Sequence, residues 1–166
     1  RSRPLELAAV NLYSDRAEVG RIRRHGSERP VVDICAQVAN AGDAVETLLH
    51  LRREFHLERF SCATLLPARQ YQLQLVDAPN VPEPEMKSAV RWRLKEFLEY
   101  PVESATVDIV AVPSGQATAA RGRSVYAVSA RNPDIESRMQ MFAQAMIALR
   151  FIRIAQMDQR DLPPLF

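Results

Sequence analysis

The sequence predicts an α/β fold, and three observations carry that prediction. Three short apolar segments, at 5–14, 17–23 and 30–39, are separated by polar turns, as in an antiparallel meander. A helix with a defined start follows, then another apolar segment at 60–66. In that βββαβ order the last connection is a crossover, so the fourth strand is expected parallel to a neighbour. Further on, Pro79, Pro82 and Pro84 crowd into a few residues and mark a boundary. Beyond it the pattern reads helix, strand, strand, helix, and then a final strand that returns to the first sheet.

Each element has a local reason. Asp43 suits the N-cap of the first helix, and Glu46 three residues later completes a capping box. Its apolar face is Ala44, Val45, Leu48, Leu49, Leu51 and Phe55, with Arg52 and Arg53 towards the polar side. Residues 70–76 read as a strand after Pro67. A second helix is expected over 84–99, because Pro84 fits a first turn and Pro101 cannot continue a helix. Strands at 105–112 and 123–130 are joined by a loop at 115–122. Asn132-Pro133-Asp134 offers a capping side chain, a pre-set φ and an acid for the helix N-terminus. The third helix carries Ile135, Met139, Phe142, Met146 and Leu149 on one stripe, with Met141 off it. Residues 151–157 form the last strand.

Composition excludes several classes. The 166 residues are 47% apolar and 25% charged, ordinary values for a globular chain. A chain of this length buries about two thirds of its unfolded surface, enough for a core without staples. The 22 basic and 20 acidic residues leave a formal charge of +2, which is no nucleic-acid signature. No apolar run approaches the roughly 20 residues that span a bilayer. The opening Arg1-Ser2-Arg3-Pro4 and the closing Leu162-Pro163-Pro164-Leu165-Phe166 read as the cut ends of a fragment. Cys35 and Cys62 both fall in apolar, strand-like runs without a CxxC, and are expected to be buried, reduced thiols.

Four stretches carry a family resemblance. They are Leu65-Leu66-Pro67; Tyr71 through Pro79; Ala89-Val90-Arg91-Trp92-Arg93-Leu94-Lys95 running to Tyr100-Pro101-Val102, with Val107-Asp108-Ile109 and Val112-Pro113 behind it; and Val125 through Ala130. In these words and this order the chain resembles the PilM family of actin-like proteins from type IV pilus assembly. Within that family it is most similar to the branch serving the mannose-sensitive haemagglutinin (MSHA) pilus. The match covers roughly residues 60–158.

The resemblance implies a ribonuclease-H-like, actin-like ATPase fold. A first subdomain, 1–80 plus 151–166, would receive an inserted αββα subdomain at 81–150. It implies a cytoplasmic scaffold, peripheral to the bacterial inner membrane and touching it only indirectly. Relatives dock the cytoplasmic tail of an inner-membrane pilus assembly protein between these subdomains and engage motor-associated proteins. Full-length relatives have a second lobe, which the resemblance implies lies outside these 166 residues.

Nucleotide chemistry can be tested on the residues. Actin-like ATPases need an acid at the end of the first strand and small residues in the next turn, where backbone N–H groups meet phosphate. Relatives of the PilM family read Asp-Ile-Gly-Ser-Ser there, with a Lys soon after. In this chain Asn11 stands for the Asp and Tyr13 for the Gly, Ser14 matches, and Glu18 stands for the Lys. An amide is a poor Mg²⁺ ligand, a Tyr side chain blocks close approach, and a Glu repels a triphosphate. The expectation is a protein-binding scaffold rather than an enzyme, with no cofactor. Two alternatives stay open. One is a nucleotide-binding actin-like ATPase using ATP with Mg²⁺; the other is the cytoplasmic domain of a type II secretion inner-membrane assembly protein.

Other chemistry finds little purchase. Glu6, Asp15 and Asp33 are too scattered for a two-metal nuclease. His25, His50 and His56 lack metal-ligand spacing, and Ser129 sits mid-strand without a base. No GxSxG, P-loop or HExxH occurs. The basic run Arg21-Ile22-Arg23-Arg24-His25 reads as a solvated turn or as a contact for anionic headgroups, and Arg121-Gly122-Arg123 reads the same way.

The second helix offers the partner candidates. Met86, Val90, Leu94, Phe97 and Leu98 share one arc, with Ala89 and Tyr100 at its edge. Trp92 falls on the polar side, as an interface anchor or under a covering strand. Arg93 falls inside the apolar arc, where it needs a carboxylate such as Asp77 or Asp108. Trp92, Arg93, Tyr100 and Met141 are therefore the candidate partner contacts.

Overall fold

The computed structural model describes residues 5–24, 29–40, 42–112 and 124–156. The turn residues 25–27, the 115–122 loop, Arg121-Gly122-Arg123 and both chain ends lie outside the described residues. Contacts divide the chain into two units: Arg1–Leu66 with Glu136–Phe166, and Pro67–Ile135.

The first unit begins with the expected meander. Strands β1 (Leu5–Leu12), β2 (Arg16–Arg24) and β3 (Val31–Ala39) pair antiparallel in sequence. Helix α1 (Ala44–Phe55) follows, and Asp43 Oδ1 accepts the Glu46 N–H at 2.8 Å, as its capping position predicts. The crossover then places β4 (Ser61–Leu65) parallel to β1. The closing strand β8 (Leu149–Arg153) lies parallel to β4, so the last strand does return to the first sheet. The sheet order is β3-β2-β1-β4-β8. Inward side chains alternate with outward ones: Val10 and Val19 meet Leu48, Leu51, Leu57 and Phe142 in a fully enclosed core.

The second unit holds a three-stranded antiparallel sheet in the order β5-β7-β6, with β5 at Tyr71–Asp77, β6 at Ala105–Ala111 and β7 at Ser124–Arg131. Helix α2 (Glu83–Leu94) sets Met86, Val90 and Leu94 against Val76, Ala105, Val107, Val125 and Ala127. Helix α3 (Asn132–Gln144) follows β7 directly. Its Asn132 Oδ1 accepts the Thr106 hydroxyl at 2.9 Å.

Several expectations are corrected. The boundaries expected at 80/81 and 150/151 fall at 66/67 and 135/136, because β5 pairs with β7 and the later part of α3 packs in the first core. Helix α2 stops at Leu94, not near residue 99, and Phe97 is exposed. Tyr100 precedes Pro101 and is biased away from the helical region, so the chain must unwind before it.

Arg93 is also exposed, not set in the core. The buried residues Met86, Val90 and Leu94 step by four, which drifts about 40° per step around the helix. By the last turn that drift has carried the buried line past Arg93 to Leu94. Asp108, one expected partner, instead meets Lys87 at 3.1 Å.

The α3 stripe turns differently as well. Arg138, Phe142 and Ala145 face inward, Met139 and Met146 are exposed, and Met141 packs against the first core. The cause is the helix end. Met146 takes a left-handed φ of 56°, its N–H donates to Ala143 O, and the Ile147 N–H donates to Phe142 O at 3.0 Å. That Schellman arrangement turns Ile147 inward and Met146 outward. Cys35, expected to be buried, is exposed, because β3 alternates and Ile34 and Val38 take the core side.

Candidate functional site

The β1–β2 turn is where a nucleotide loop would sit in an actin-like ATPase. Here it is a closed hairpin end. The Tyr13 N–H donates to Arg16 O at 2.8 Å, and the Asn40 N–H donates to Asp15 O at 3.0 Å. Asn40 Nδ2 donates to Tyr13 O at 2.7 Å, while its Oδ1 accepts the Thr47 hydroxyl at 2.9 Å and the Gly42 N–H. Sequence reasoning missed Asn40. The visible signal was an Asn two residues before a Gly, a common local turn pairing.

The side chains of the turn are engaged with one another. Arg16 stacks over the Tyr13 ring at 4.3 Å and donates to Glu18 at 3.1 Å. Partial burial, and then the Glu18 carboxylate, hold the Tyr13 hydroxyl above its ordinary pKa. Ser14 is exposed at the tip. Asn11 is engaged elsewhere: its Oδ1 accepts the Leu65 N–H at 3.0 Å, two residues beyond the last β1–β4 ladder pair, Ala9 with Ala63. Asn11 and Glu18 do meet in one shallow depression of about 500 Å³ on the outer sheet face, with Ala9, Gly20, Cys35 and Gln37. Tyr13 and Ser14 do not line it. Among the described residues, no group of three or more His, Cys, Asp or Glu is placed to hold a metal ion.

The partner candidates separate. Trp92 is 65% exposed, with Lys95 Nζ over its ring at 5.8 Å. It borders a depression of about 250 Å³ with Ser88, Arg91, Val102 and Glu103. Arg91 braces that floor by donating to Val102 O at 2.8 Å. Tyr100 is half-buried against the second core, under the Arg131 guanidinium at 4.6 Å. Arg93 is free of the core, while Met141 is a packing residue of the first unit.

No family model matches the sequence, and no curated protein matches it. Solved structures do. The PilM–PilN type IV pilus biogenesis complex matches with a TM-score of 0.75 and 17% identity, over 92% of this chain and 48% of that one. The cytoplasmic domain of EpsL, an inner-membrane component of the type II secretion system of Vibrio cholerae, matches with a TM-score of 0.60 and 17% identity, over 89% of this chain and 57% of that one. At such identity the likeness establishes the α/β fold. The chain spans about half the length of the structures it matches. Among the described residues, no helix is long and apolar enough to cross a membrane.

Proposed function

We propose that this chain belongs to an assembly scaffold for a type IV pilus of the MSHA kind, docking the cytoplasmic tail of an inner-membrane partner. The supporting observation is the fold likeness to the PilM–PilN complex across nine tenths of the chain. The 65% exposed Trp92 on its braced depression is the contact we assign to a partner, with Arg93 beside it on the same helix. A large aromatic ring left in water is the residue type that most often anchors an interface.

In this reading the protein does not turn over nucleotide. Asn11 is committed to the Leu65 N–H, and the Tyr13 N–H is spent inside the hairpin. Neither is then offered to a metal ion or a phosphate. Calorimetry of the full-length protein gives the test: the partner's tail peptide binds, and Mg-ATP does not. Micromolar Mg-ATP affinity lost on changing Tyr13 or Glu18 would restore the ATPase reading.

A second reading has its own observation. The EpsL likeness supports an equivalent scaffold role in type II secretion. The tail that binds, pilus or secretion, decides between the two.

A further inference from the structure

The described sheets end in four edge strands, β3, β8, β6 and β5. An edge offers a row of backbone donors and acceptors to another chain, and proteins blunt it with charges, prolines or bulges. β3 has a register shift and Asp33, β8 has Arg150 and Arg153, and β6 has Asp108 held against Lys87 at 3.1 Å. β5 has no such device between Tyr71 and Val76. Its ladder to β7 runs through all seven residues without a register shift. Among the described residues, 72–77 make no backbone hydrogen bond beyond that ladder.

The side chains of β5 alternate. Gln72 and Gln74 share the face of Val76, which packs in the second core, while Tyr71, Leu73 and Leu75 share the other. Leu75 is 60% exposed. The Oε1 atoms of Gln72 and Gln74 are buried and lack a hydrogen-bond partner.

We infer that β5 is an interface between two copies of this chain, paired antiparallel about a two-fold axis at Leu73. Read against itself in that register, the strand is complementary. Gln72 of each copy faces Gln74 of the other, so an amide donor comes within cross-strand reach of each orphaned carbonyl. Tyr71 faces Leu75, an aromatic–aliphatic pair that covers the exposed leucine, and Leu73 faces itself. Arg69, exposed two residues before the strand, comes level with the exposed Asp77 of the second copy, once at each end. Opposite charges thus meet at both ends of an otherwise uncharged seam. Centring the pair on Gln74 instead would set Gln72 against Val76 and Tyr71 against Asp77. The inference does not rest on the tail-docking proposal, which concerns Trp92.

Analytical ultracentrifugation of the full-length protein gives the test. The wild type dimerises. Leu73→Lys and Leu73→Glu each set like charges against themselves at the axis and weaken the dimer at least about tenfold. Mixing the two variants restores dimers, because the axis then joins opposite charges. Arg69→Glu, an exposed change outside the strand, weakens the dimer about two- to fivefold, and adding Asp77→Arg restores it. Unchanged circular dichroism shows that the variants fold. A wild type that stays monomeric at about 100 μM overturns the inference. So do Leu73 variants that dimerise as the wild type does, or a mixture of them that stays monomeric. Leu73 variants that keep the dimer but lose the partner's tail overturn it too, because the edge then receives a strand from another protein.

Discussion

The Asn11 side chain hydrogen-bonds the Leu65 backbone N–H at 3.0 Å, so an amide continues the β1–β4 ladder where the backbone pairing has ended. Asn11→Ala leaves that half-buried N–H without an acceptor and costs about 1–3 kcal/mol. Asn11→Asp keeps an acceptor and costs less. Urea unfolding of the two variants compares them directly. An Ala variant as stable as wild type would mean the bond contributes nothing.

Met146 holds a left-handed conformation that glycine adopts freely and a side chain does not. Its own side chain is exposed and its N–H already serves the helix end. Met146→Gly should therefore be neutral to stabilising, by up to about 1 kcal/mol, despite removing an apolar residue. A lower melting temperature would show that the side chain packs against something of consequence.

The Arg21 hydrogen bond, aided by the Arg23 charge, holds the Asp33 carboxyl below its ordinary pKa. The folded state then prefers ionised Asp33 more than the unfolded chain does. That contribution is in place above the unfolded carboxyl range, near pH 4, and fades as pH falls through the lower folded value. Asp33→Asn is expected to lose stability at neutral pH and to show a flatter stability curve below pH 4. Thermal melts from pH 7 to pH 2.5 read the difference.

The two thiols are expected to differ in reactivity. Burial pushes the Cys62 thiol up to about 11, whereas Cys35 faces solvent. Iodoacetamide at pH 8 alkylates Cys35 in the native protein, and Cys62 only after unfolding. Intact-mass spectrometry counts the adducts. Early labelling of Cys62 would indicate that the first core opens readily.

Trp92 is the chain's single tryptophan, so its fluorescence reports one place. The free protein emits at a water-exposed wavelength, and the partner's tail shifts the emission to the blue. Trp92→Ala changes stability by less than about 0.5 kcal/mol. It weakens tail binding by about 2 kcal/mol or more. Unshifted emission with the tail bound would move the contact away from this helix.

Much of this protein is written locally. The Asp43 cap, the crossover that makes β4 parallel, and the returning strand β8 follow from residues read in order, because caps, turns and chain handedness act over short distances. The departures from a phosphate loop at Asn11, Tyr13 and Glu18 are likewise visible as letters. What the letters could not fix is which side of an amphipathic segment finds cover. Arg93 and Leu94, Met139 and Met141, Cys35 and Ile34 each form a pair in which the sequence allows either member to face inward. The stagger of α2, the left-handed end of α3 and the pleat of an edge strand made those choices. Sequence thus determined which elements form and in what order they connect. Tertiary structure alone decided their rotation and register, because those depend on packing against residues far away in the chain.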